Sequence, residues 1–123
     1  MRITRRDFES LVVRAFDDLP QKLLEALENL AVLVEDLPTP DLLDVAGVRS
    51  RYRLFGLYQG VPLPERYGGM PSLPDTITLF QRPIESVCST RSEIVREIRV
   101  TLLHEVGHYL GLGEDDLDRL GYG

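Results

Sequence analysis

Apolar positions along the chain fall first into helical and then into strand spacing. Phe8, Leu11, Val12, Ala15, Phe16 and Leu19 recur at intervals of three and four, which puts one face of an amphipathic helix against a core. The "TRRD" from Thr4 offers a capping pattern at its entry. The helix ends before Pro20, which opens a second short helix through "PQKLLEALEN", because a first-turn amide has no intrahelical partner. From Leu30 the pattern changes. "LAVLVED" is a short β-branched run between Asn29 and Pro38 and reads as a buried strand. "RLFGLYQG" and "TITLFQ" read as two more strands. Between them "VPLPERYGGMPSLPD" carries prolines and paired glycines, the signature of an extended surface loop. Loops of that length commonly carry function.

The last long element runs through "STRSEIVREIRVTLLHEVGHYLGL". Thr90 and Glu93 form a capping box, and Ile94, Val95, Ile98, Leu102, Val106 and Tyr109 then cover one helical face. This helix is expected to be the central one. His104 and His108, the two histidines of the chain, lie together at the edge of that face, where a helix passes from core to cleft.

Composition narrows the classes. Fourteen Lys and Arg against twenty Asp and Glu give a net charge of -6, and 43% of residues are hydrophobic, as suits one soluble domain over residues 1–123. A chain of this length buries roughly two-thirds of its unfolded surface, so it needs neither disulfides nor a metal for size alone. No repeat or low-complexity tract divides it. The acidic balance, without a run of Lys or Arg, argues against nucleic acid as partner. The start "MRITRRDFESLVVRAFDDLP" mixes charge through its apolar positions, so neither a signal peptide nor a membrane span is expected. Cys88 is the single cysteine; with no internal partner it favours a reducing, cytoplasmic location.

The chemistry concentrates in "HEVGHYLGLGEDD", His104 to Asp116. Side chains at i and i+4 stand about 5–6 Å apart at Cβ, which lets both imidazoles turn toward one ion at about 2.0–2.1 Å. Glu105 is rotated round the helix from His104, where a carboxylate can act as general base. By itself HExxH can arise in any charged helix and be no more than a solvated face. Here Gly111 lies three residues past His108 and Glu114 six. A left-handed glycine lets the chain stop and turn back, so Glu114 can return toward the same ion. Two imidazoles and a carboxylate leave one tetrahedral position for water, the arrangement of a catalytic zinc site. Spacing favours Glu114 as third ligand; Asp115 takes its place if the turn is one residue longer.

The HExxHxxGxx pattern followed by an acid resembles the zincin superfamily of metallopeptidases, in particular its metzincin-like branch. "LFGLYQGVPLPER", "LPDTITLFQRPIE" and the terminal "LDRLGYG" extend the resemblance to a small bacterial zincin-like family. It implies an α+β minimal zincin-like fold, with a small mixed sheet packed on N-terminal helices and a central active-site helix. It also implies zinc as cofactor, His104, His108 and Glu114 as metal ligands, Glu105 as catalytic acid/base, and an extended peptide or protein as substrate. "TITLF" looks like the counterpart of the edge strand beside which a zincin substrate lies, with Ile77 and Leu79 also pointing to the core. Longer metzincins carry a methionine turn downstream of the third ligand, whereas Met1 and Met70 here both precede it. The nine residues after Glu114 offer no counterpart of a lower lobe. A metal-stabilised peptide-binding module or pseudoenzyme is therefore the alternative function. Arg119 and Tyr122 are the nearest candidates for an oxyanion donor. Cys88 reads as a small buried residue, and Arg51, Arg53, Arg66 and Arg82 as a solvated face. Gly68 and Gly69 fit either a mobile lid or a closed turn.

Overall fold

The structure is a computed structural model that describes residues 1–60 and 75–113, together with Asp115 and Arg119. Helix α1 spans Arg5–Phe16, and the Thr4 side chain accepts from the Asp7 N–H at 3.1 Å, as the capping pattern predicts. Helix α2 spans Gln21–Leu27, with Pro20 just outside it as the N-cap. Pro20 contributes its carbonyl, which accepts from the Leu23 and Leu24 N–H groups.

Strand β1 is Leu30–Glu35, β2 is Gly56–Gln59 and β3 is Asp75–Phe80. Their order is β1-β3-β2, with β1 parallel and β2 antiparallel to β3, so the sheet is small and mixed. Two expectations are corrected here. "TITLF" is the central strand, not an edge: Ile77 stands opposite Val32 on one side and Tyr58 on the other, so its backbone groups are already committed to the ladder. "LAVLVE" is an edge strand, half-buried rather than buried, with Leu33 45% exposed. Paired on both sides, β3 is instead the strand that is buried along nearly its whole length, with Asp75 and Thr78 buried beside Ile77, Leu79 and Phe80.

The hydrophobic pattern does not announce two short helices. α3, Pro40–Ala46, buries none of its residues, so no apolar stripe marks it. It is held by its ends, a Thr39 cap on the Leu42 N–H and a left-handed Gly47 at φ 70°. A 3₁₀ turn follows over Arg51–Arg53. α4, Gln81–Ser86, continues directly from β3 with Pro83 in its first turn.

Helix α5, Arg91–Tyr109, starts at Thr90, whose hydroxyl accepts from the Glu93 N–H at 3.1 Å. Every position read as its core face is buried, from Ile94 to Tyr109. Those from Ile94 to Val106 meet Phe8, Leu11, Val12 and Ala15 of α1 and Ile77 and Leu79 of β3 in one core cluster. Close packing of branched side chains fixes α5 between α1 and the sheet. Its histidine-bearing edge thereby faces β2.

Candidate metal centre

α5 delivers His104 and His108 four residues apart at the margin of its buried face. Their side chains are 26% and 35% exposed, and the rings stand 4.6 Å apart at 75°. The helix stops as the glycine spacing predicts. Gly111 takes φ 81°, its N–H donates to His108 O at 3.0 Å and the Leu112 N–H donates to Gly107 O at 2.9 Å. This paired closure gives the His108 and Gly107 carbonyls partners and ends the helix.

Glu105 enters the same cluster from the buried side, being only 5% exposed. Its Oε1 accepts from the Tyr58 backbone N–H at 2.9 Å and lies 3.2 Å from His108 Nδ1, while Oε2 lies 3.9 Å from His104 Nε2. One potential ligand atom from each of His104, Glu105 and His108 falls within 4.8 Å of the others. Imidazole nitrogens and carboxylate oxygens gathered on this scale are the donor set that zinc takes, so the residues present fit such an ion.

Strand β2 supplies the other wall, through contributions that the sequence pattern does not announce. Gly56 lies so close to α5 that a Cβ there would stand 2.5 Å from Thr101 Cγ2. Tyr58 presents the N–H that Glu105 accepts, and its hydroxyl donates to Asp75 Oδ2 at 2.7 Å. Its ring also packs edge-on against Tyr109 at 5.8 Å. An isolated glycine inside a strand pattern signals close backbone approach, so Gly56 was the legible clue. A cleft of about 260 Å³ runs between β2 and α5, with Arg53 and Glu97 toward one end and His104 and Glu105 toward the other.

The remaining sequence candidates divide clearly. Glu114 and Tyr122 lie outside the described residues, as does the loop with Arg66, Gly68 and Gly69. Asp115 is exposed and helical, and Arg119 is exposed. Cys88 is buried beside the start of α5, where burial and then the charges of Glu97 and Glu93 push its thiol pKa up; it is not among the clustered ligands. Arg51 and Arg53 are exposed, and Arg53 lines the cleft. Arg82 departs from the solvated-face reading: its Nη1 is 2.7 Å from Oε1 of the buried Glu85.

A mixed three-stranded sheet laid against a long helix carrying HExxH defines a zincin-like α+β protein. The chain matches the family model for zincin-like metallopeptidases over residues 27–123 and belongs to that family. Among solved structures it is similar to a conserved hypothetical protein from Thermus thermophilus. The two are 28% identical with a TM-score of 0.55, over 88% of this chain and 94% of that one. No curated protein matches it. The family implies a bound metal, usually zinc. Among the described residues no helix is long and apolar enough to cross a membrane.

Proposed function

We propose that this protein is a zinc-dependent peptide hydrolase in which His104, His108 and Glu114 hold the ion and Glu105 is the general base. The observation that carries the reading is the buried Glu105 carboxylate set between two half-exposed histidines. Zinc bound there supplies Lewis-acid polarisation of a carbonyl and a water of lowered pKa.

The chain's own contribution is orientation and proton handling. Tyr58 holds Oε1 of Glu105 through its backbone N–H, and no hydrogen bond among the described residues occupies Oε2. Oε2 is therefore the atom that takes a proton and returns it to the leaving amine. With β3 central, the edge role passes, among the described residues, to β2, which flanks the cleft. An extended peptide would lie along it, held by main-chain bonds. The buried, unpaired Cys88 is compatible with a reducing, cytoplasmic setting.

Zinc titration of protein freed of metal tests the first step, with one stoichiometric site as the expected result; no site refutes the reading. Glu105→Gln separates the enzyme from the peptide-binding module. An enzyme keeps its zinc and loses hydrolysis by roughly 10²–10⁴-fold, whereas a module keeps both metal and peptide affinity and has no turnover to lose. Equal turnover in wild type and variant would remove Glu105 as base.

A further inference from the structure

The cleft that ends at His104 and Glu105 has a basic far end. Arg53 lines it, and also lines an adjoining cavity together with Arg49. Arg49, Arg51 and Arg53 alternate within five residues of a chain whose net charge is -6, and all three are exposed. Among the described residues none of their side chains has an ion pair or hydrogen bond, whereas Arg5, Arg82, Arg91 and Arg99 each pair with a carboxylate. The backbone of Arg53 is nonetheless fixed. Its N–H donates to Ser50 O at 3.1 Å, and the next residue, Leu54, is buried. Glu97 is the acid on the opposite wall; it makes no ion pair with Arg53, whose donors stay available.

The direction of β2 gives the distance. Gly56 meets Thr101 and Tyr58 meets Glu105, so strand and helix advance together and Arg53 falls toward Glu97. From Glu97 to His104 is seven residues of helix, about 10 Å at 1.5 Å per residue. An extended peptide covers that span in roughly three residues. A guanidinium is always charged, and its planar fork matches a carboxylate in a bidentate pair.

We propose that Arg53, backed by Arg49, anchors a carboxylate of the peptide substrate about three residues from the bond cut. The inference rests on the reading of His104 and Glu105 as the reacting centre. The carboxylate has two sources of equal chemistry, an Asp or Glu side chain or the C-terminal carboxylate.

The test is fluorescence anisotropy of labelled peptides on Glu105→Gln protein, run with and without zinc so that charge preference is read in either state. One peptide carries a single Glu and an amidated end, a second carries Gln at that position with a free C-terminal carboxylate, and a third carries Gln with an amidated end. At least one acidic peptide should bind about ten-fold tighter than the neutral one. Preference for the first assigns a side chain, and for the second the C-terminus. Adding Arg53→Ala should abolish the preference, and Arg53→Glu should turn it toward a Lys peptide, both with zinc affinity unchanged. An equal affinity for all three peptides overturns the anchor, as does a preference that survives Arg53→Ala. Parallel zinc titration reads the centre separately: a missing zinc site refutes the centre, and an intact one without charge preference refutes Arg53 alone.

Discussion

Gly56→Ala probes how closely β2 must lie against α5. The backbone of Gly56 is not left-handed, so the cost is one of space. The added Cβ would stand 2.5 Å from Thr101 Cγ2, 3.3 Å from Thr78 O and 3.6 Å from Glu105 Cγ. Carbon atoms settle at about 3.5–4.0 Å, so something must yield by roughly 1 Å. Thr101 is 6% exposed in the middle of α5, and β-branching restricts its rotamers; Thr78 O belongs to the sheet backbone. The strand therefore has to move. Overpacking of this kind costs about 1–3 kcal/mol, a fall in melting temperature on the order of 3–12 °C for a domain of this size. Thermal denaturation followed by circular dichroism measures it. Thr101→Ser removes Cγ2, so the same Gly56→Ala change made in that background should cost less than half as much. The displaced strand also draws the Tyr58 N–H away from Glu105, so turnover should fall while zinc affinity holds. A melting temperature within about 1 °C of wild type, or equal costs in the two backgrounds, would refute this account of the β2–α5 spacing.

Three more outcomes are expected. Burial raises the Glu85 pKa, but donors from Gln81, the Ile3 N–H and Arg82 outweigh it and hold the carboxyl below the usual range. Because the folded value is the lower one, its stabilisation is complete above about pH 4.3 and is lost as pH falls through the folded value. Glu85→Gln should cost about 1–3 kcal/mol at pH 7 and flatten the acid limb in urea melts; an unchanged acid limb would contradict it. Gly111→Ala forces a side chain into φ 81° and should cost about 1–2 kcal/mol by chemical denaturation, with zinc affinity reduced because the chain beyond the turn is misdirected. Glu114→Ala should weaken zinc by more than about 100-fold in a calorimetric titration while Asp115→Ala leaves it near wild type; the reverse order would move the third ligand to Asp115.

The sequence carried the long-range plan wherever periodicity is strong. The α1 face from Phe8 to Ala15 and the α5 face from Ile94 to Tyr109 are buried as read, because a 3.6-residue repeat of branched side chains has one way to meet a core. Local chemistry was equally legible. Thr4 and Thr90 cap their helices, and Gly111 turns left-handed behind His108, since each effect is settled by a residue type and its spacing. The short helices α3 and α4 leave no mark in the pattern because α3 buries nothing and α4 is only six residues long, burying Pro83 and Ile84 beside the hydrogen-bonded Gln81 and Glu85.

The sequence by itself determined that His104 and His108 share one side of a helix and that a glycine turn follows, because both depend on intervals within one element. Only the tertiary structure decided what lies opposite them. Strand order is a choice among pairings that alternation cannot rank, so "TITLF" became the centre of the sheet and Gly56–Gln59 the strand facing α5. That choice gave Glu105 its partner in the Tyr58 N–H, and it placed Arg53 in the same cleft as His104. A contact between residues forty-seven apart in sequence leaves no trace in local spacing. It exists because the branched core of α5 and β3 holds helix and sheet at a fixed distance, and a glycine at position 56 allows the strand that close.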